Sequence, residues 1–266
     1  MDWSKIKTIF ILSFLILNIY LINEFLKIRN SNQHDYIIKS SLENRLKVDE
    51  IEYVEPPKEA VRGKYLSATP KVFTVEELKK ETKLAGQKVI LKENNALLES
   101  VLKEPIKMGE KFDPTMLTAF MKNNILYHEQ YRFWSKSDTT ITFYQQLNNK
   151  VLYNNIYGEL TFFLNDKNEI FSYKQTILID IEELSEEEKI LQPMKALETL
   201  YENGDIKFGS KITNIELGYF TYVHLASSQV LTPVWRFVIN DEVNLFVNAF
   251  EGQILQLNTE ERKWSE

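Results

Sequence analysis

The sequence predicts an α+β protein: an N-terminal transmembrane helix followed by tandem units, each a helix packed on an antiparallel β-sheet. Three observations predict it. An apolar run from Ile9 to Leu26, interrupted mainly by Ser13, Asn18, Asn23 and Glu24, has the length of a bilayer span. Beyond it, short segments with helix-capping signatures alternate with β-rich runs bounded by turn residues. The order of elements then recurs at roughly 70 to 80 residues, as a weak internal duplication would produce.

A bilayer core of about 30 Å takes about 20 apolar residues in helical form. Ile6 to Leu26 supplies them, and Lys5 and Lys7 can snorkel to the headgroups. A cleaved signal peptide needs a shorter apolar core and a small-residue cleavage site, whereas this run leaves through Ile22-Asn23-Glu24-Phe25-Leu26-Lys27. The reading is therefore an uncleaved anchor, with residues 1–8 a cytoplasmic tail and 9–28 the span. Charge does not set its orientation, because Lys5 and Lys7 are balanced by Lys27 and Arg29. A short tail before a large polar body fits an exported body. Within the span, Asn18 is the residue chosen for contact with a partner helix, because a polar side chain in lipid seeks a partner. Ser13, Phe14 and Tyr20 complete the candidate set. Ser13 lies about 140° from Asn18 around a helix, so the two do not form one stripe, and Ser13 can equally bond its own backbone.

Residues after position 29 hold 28 basic and 36 acidic side chains, a net charge of −8. That balance repels polyanions, so nucleic acid is not the expected ligand. The chain has no cysteine, which rules out disulfides and thiolate metal sites and is compatible with export. With 13 Tyr and 16 Phe in the chain, the exported part can bury a sizeable core.

Residues 29–60 read as a juxtamembrane helix and linker. Ile38, Leu42 and Leu46 recur at four-residue steps, which fits either an amphipathic helix on its own domain or a coiled-coil contact, and Pro56-Pro57 stops regular structure. The first exported domain is placed at 61–180. It opens with a helix capped by Thr74 with Glu77 and ended by Gly86, followed by strands at 88–91 and 96–101 joined by Glu93-Asn94-Asn95. Asp113-Pro114 starts a second helix to about Asn124. Strands follow at 127–134, 139–147, 157–164 and 170–179, the last two joined by the loop 165–168. The second domain is placed at 181–266: a helix from Ser185 to Asn203, boxed by Glu188, and strands at 211–219, 222–226, 231–240, 245–250 and 253–257. Glu186 and Glu187 sit at the positive end of that helix, an arrangement that suits capping better than calcium, which needs alternating oxygen ligands and a glycine turn.

Pro233-Val234-Trp235-Arg236-Phe237-Val238-Ile239 followed by Phe246-Val247-Asn248-Ala249-Phe250-Glu251-Gly252 resembles the closing hairpin of a PepSY-like module. Taken with the start Met1-Asp2-Trp3-Ser4-Lys5-Ile6-Lys7-Thr8-Ile9-Phe10, the whole chain resembles the YycI (WalI) family, and its exported part is similar to the relative YycH. The resemblance implies a bitopic membrane protein of Gram-positive bacteria, an auxiliary regulator of the WalK sensor histidine kinase and WalR response regulator that control cell-wall metabolism. It also implies contact with the kinase and with a YycH-like partner, and no cofactor.

Familiar enzyme motifs are absent, and the numerous carboxylates leave a glycosidase pair as the one enzymatic alternative. His128-Glu129 lacks the second histidine of a zinc-protease helix, and no nucleophile elbow, P-loop or dinucleotide fingerprint occurs. The competing class is an exported sensor whose cleft between the two units binds a peptide or wall fragment. Tyr131, Phe133, Trp134, Tyr219 and Tyr222 are its candidate residues, with hydrophobic core as the alternative account of the same side chains. A pocket with unsatisfied polar groups would favour the sensor, and a filled seam an interaction module.

Overall fold

The computed structural model describes residues 7, 10–22, 42–57, 62–109, 112–224 and 227–256, without the side chains of 222–224. The chain divides into two compact units: Met1–Glu52 with Lys207–Lys211, and Tyr53–Ile206 with Ile212–Glu266.

In the first unit, residues 10–22 form a helix with every side chain exposed. Its 13 described residues rise about 20 Å, and among the described residues no helix is long and apolar enough to cross a membrane. Expected span residues on either side lie outside the described ones. A second helix covers 42–48 and buries Leu42 and Leu46, so that stripe is not left over for a partner helix; Ile38 lies outside the described residues. Segment 207–211 is tied to it by the Gly209 N–H on the Asp49 carbonyl at 2.9 Å and the Glu52 N–H on the Ser210 carbonyl at 3.1 Å.

The larger unit is mostly sheet. In chain order the strands are β1 (Glu52–Tyr53), β2 (Arg62–Gly63), β3 (Leu66–Pro70), β4 (Gln87–Lys92), β5 (Leu97–Lys107), β6 (Tyr131–Lys136), β7 (Thr140–Leu147) and β8 (Lys150–Tyr153). They continue as β9 (Glu159–Leu164), β10 (Glu169–Gln175), β11 (Leu178–Glu183), β12 (Glu188–Lys189), β13 (Lys211–His224), β14 (Gln229–Ile239), β15 (Val243–Asn248) and β16 (Ile254–Leu255). The main sheet runs β11-β3-β14-β13-β8-β7-β9-β10-β5-β4, with β6 on β7, β15 on β14 and β16 on β15. It passes through both stretches expected as separate domains.

Local chemistry sets the helices. Thr74 caps Val75–Lys80 by accepting the Glu77 N–H at 3.2 Å, and Asp113 accepts the Thr115 N–H at 2.9 Å ahead of a 3-10 turn and the helix Thr118–Asn124. That helix seats Met121 on one face of the β6-β7-β9-β10-β5-β4 portion, among Leu98, Leu160, Phe162 and Tyr173. The Val75–Lys80 helix ends well before Gly86, which instead turns the chain into β4 at φ +80°.

Three expectations are corrected. The helix expected from Ser185 begins at Pro193, because proline fits a first helical turn and not an interior. Ser185 accepts the Tyr65 N–H at 3.1 Å, and Glu188 lies in β12, paired with β2. The run 170–179 is two strands: β10 pairs with β5 and β9, and β11 with β3. Conversely, 211–219 and the described part of 222–226, up to His224, belong to one 14-residue strand, β13, and residues 225–226 lie outside the described ones.

The sheet's halves join where β8 meets β13 in parallel, Leu152 opposite Tyr219 and Tyr153 opposite Phe220. Every other step along the main strand order, from β11–β3 to β5–β4, is antiparallel. Gly218 permits the junction. A Cβ there would lie 2.7 Å from the Val151 carbonyl oxygen and collide with the Tyr153 ring.

Candidate functional site

The helix 10–22 carries the four candidate span residues. At about 100° per residue, Phe14 and Asn18 lie about 40° apart, and Ser13 and Tyr20 about 20° apart on a face turned about 130° from theirs. Phe14 and Asn18 share their side with Ile11, Leu15 and Ile22. The Asn18 amide donates to the Phe14 carbonyl at 2.9 Å, so one of its two N–H groups is satisfied inside its own helix. Asn18 is exposed on an otherwise apolar face, an arrangement suited to pairing with a polar group on a neighbouring helix.

Of the aromatic cleft candidates, Tyr131 and Phe133 border one cavity, while Trp134 and Tyr219 pack elsewhere. Tyr131 is buried on the Thr118–Asn124 side of β6, where its hydroxyl donates to the Thr176 carbonyl and accepts from the Gln175 amide at 3.3 Å. Burial pushes its phenol pKa well up, with the Gln175 bond opposing. Tyr219 is buried in a separate cluster with Leu66, Leu152, Leu178 and Leu231. Burial raises its pKa too, aided by Glu183 and Glu187. Tyr222 lies in β13, and its side chain is outside the described ones.

Trp134 points to the opposite face of β6 from Tyr131 and helps fill the space between β6-β8 and β13-β16. Its ring lies 5.0 Å from Tyr144 and 5.6 Å from Tyr153, against a cluster that includes Phe220, Val234 and Phe246. At the margin of this cluster stands a polar node that the sequence does not announce. Glu216 on β13 is directly opposite Arg236 on β14. Its carboxylate accepts from the Tyr153 hydroxyl at 2.8 Å, from Arg132 at 2.9 Å and from Arg236. Arg236 also donates to Asn244 at 2.7 Å and lies 4.6 Å from the centroid of Trp134, a cation–π distance. Burial alone would raise the Glu216 pKa, but the bonds from Tyr153 and Arg236 and the charge of Arg132 hold it below the usual carboxylate range. Burial raises Tyr153 strongly, and the neighbouring Glu216 adds to it. A cross-strand pair of opposite charges reveals such a node only once the register is known; Arg236 between Trp235 and Phe237 is the visible hint.

The seam is therefore packed with aromatic rings, and the Glu216 carboxylate at its margin is paired. A cavity of about 410 Å³ lies elsewhere, beside the Thr118–Asn124 helix, with Met121, Tyr131, Phe133 and Phe143 in its walls and Thr118 and His128 among its polar groups. His128 Nδ1 is 2.9 Å from Glu129. Among the described residues no group of three or more His, Asp or Glu side chains is placed to hold a metal; Glu187 faces Arg62.

These features define an α+β protein built mostly of sheet with few helices. The chain belongs to the YycI family: the YycI protein family profile matches residues 30–250. No curated protein matches the chain. Among solved structures it is similar to an uncharacterized protein from Eubacterium rectale, at 12% identity over 79% of this chain and 92% of that one, with a TM-score of 0.44. It is also similar to the Bacillus megaterium YpeB C-terminal domain, at 11% identity over 64% of this chain and 82% of that one, with a TM-score of 0.38.

Proposed function

We propose that this protein is a non-catalytic, membrane-anchored regulator that binds a WalK-like sensor histidine kinase together with a YycH-like partner and modulates two-component signalling to the cell wall. The observation that carries the reading is membership of the YycI family across residues 30–250. The filled seam supports an interaction module over a ligand sensor. In this reading the protein sits in the cell membrane of a Gram-positive bacterium as a single-pass chain, its N-terminus cytoplasmic and its body extracytoplasmic. The Phe14–Asn18 and Ser13–Tyr20 faces give the span two sides on which two partner helices can pack. The body is read as tandem helix-on-sheet units with a PepSY-like close. Supporting this are the Thr118–Asn124 helix on its sheet and the Pro193–Glu202 helix on β14 and β15.

To regulate, the protein must bind one signalling state of the kinase more tightly than the other, since equal binding shifts nothing. The test is co-purification of the kinase and the YycH-like partner from membranes with the full chain, with Asn18→Leu, and with the anchor fused to an unrelated exported domain. Capture by the anchor fusion and loss with Asn18→Leu places recognition in the lipid. Capture only by chains carrying residues 35–266 places it outside, and capture of neither partner by the full chain refutes the regulator. The peptide-sensor reading retains one supporting observation, the cavity bordered by Tyr131.

A further inference from the structure

β4 ends the main sheet. Among the described residues it pairs with β5 alone, in unbroken antiparallel register from Gln87 opposite Leu102 to Lys92 opposite Leu97. Its free side is a regular row of main-chain groups six residues long, the template that an added strand requires. Alternation gives this edge two chemically different faces. Val89 and Leu91 are half-buried and pack at the border of the core, while Lys88, Ile90 and Lys92 are exposed on the opposite face, Ile90 to 44%.

That outer face is positive in a chain whose formal charge is −6. Lys92 and Lys174 both lie on the Glu99 carboxylate, at 2.8 and 3.1 Å, so two ammonium groups share one counter-charge and Lys88 adds a third cation. The far edge of the sheet is built differently: β11 has a register break between Ile179 and Glu182, with Asp180 at φ +48°, so it offers no comparable straight template.

We propose that the β4 edge is a docking site for an extended, acidic segment of a partner protein, which adds to the sheet as an antiparallel strand. Its carboxylates would stand opposite Lys88 and Lys92, one apolar residue opposite Ile90, and apolar residues over Val89 and Leu91. The lysines then have two effects: they repel a second β4 edge, and they select an acidic strand. This rests on the reading of the protein as an interaction module and names the surface and the chemistry it recognises.

The test uses the full chain in nanodiscs of zwitterionic lipid and fluorescein-labelled peptides, EVVVET and its basic counterpart KVVVKT, read by anisotropy. The expected result is a preference of about tenfold or more for the acidic peptide, from two opposite-charge pairs replacing two like-charge pairs. Lys88→Glu/Lys92→Glu, at exposed positions, is expected to invert the preference, and methylating the alternate peptide nitrogens that face the edge to abolish binding. Equal binding of both peptides, binding of neither, or indifference to N-methylation overturns the proposal. So does self-association of the unmodified chain that the charge reversal abolishes, which assigns the edge to a second copy. Kinase capture in the membrane experiment, without peptide discrimination by anisotropy, would remove this edge and leave the regulator reading standing.

Discussion

Replacing Glu216 by Ala removes the acceptor shared by Tyr153, Arg132 and Arg236 and leaves Arg236, whose side chain is 14% exposed, without its carboxylate. Breaking a buried ion pair from one side costs about 3 to 5 kcal/mol, because the surviving charge stays desolvated. The node lies at the sheet margin, Arg132 is 42% exposed and its share is screened, so the low end applies, about 3 kcal/mol. For a body of this size that lowers Tm by about 6 to 12 °C. The assay is thermal and urea unfolding of the full chain in detergent, followed by tryptophan fluorescence, to which Trp134 beside Arg236 responds. The double replacement Glu216→Met/Arg236→Met removes both charges from the site. It is expected to recover at least half of the loss, since an apolar pair of similar volume is often neutral. A Glu216→Ala chain within about 0.5 kcal/mol of the parent would refute the reasoning, as would a double variant no better than the single.

The same carboxylate predicts a pH dependence. Its pKa is lower in the folded chain than in the unfolded one, so its contribution is fully present above the unfolded value near 4.3 and is lost as pH falls through the folded value. Stability of the parent should drop faster than that of Glu216→Gln below about pH 4.5, measured by urea titrations across pH 3 to 7. Gly218→Ala forces a Cβ onto the Val151 carbonyl and the Tyr153 ring, costing about 1 to 3 kcal/mol by overpacking. Hydrogen exchange should then quicken at the Leu152–Tyr153 junction before it does in β9. Thr74→Ala removes the acceptor for the Glu77 N–H and should cost about 1 kcal/mol, confined in exchange experiments to the Val75–Lys80 helix.

What the sequence makes legible is local. Thr74 and Asp113 announce their helices because a capping bond spans only two or three residues. Glu93, Asn94 and Asn95 announce a turn and adopt φ of 51, 50 and 68°. Asn165 likewise holds the 165–168 loop through the N–H groups of Lys167 and Glu169. Ser185 misleads because serine followed by glutamate three residues later also suits a loop; Pro193 is the stronger signal and places the helix start correctly. The missed features are non-local. Nothing within 170–179 says that the first part belongs beside β5 and the last beside β3. The parallel β8–β13 contact and the Glu216–Arg236 pair depend on a register between residues about 20 or more apart in sequence, or on opposite halves of the sheet. For the same reason Tyr131, Trp134 and Tyr219 look like one aromatic set in the sequence yet pack into three different environments.

The proposed recognition of partners by two faces of a membrane span is tested most directly by disulfide cross-linking in membranes. The chain has no cysteine, so each introduced thiol is unique. With single cysteines along the kinase's membrane helices, Asn18→Cys and Ser13→Cys, about 140° apart around the helix, are compared in the presence of the YycH-like partner. One position is expected to cross-link to the kinase and the other to the YycH-like protein, each at particular partner positions. Equal cross-linking of both positions to every partner cysteine, or none to either protein, would contradict it.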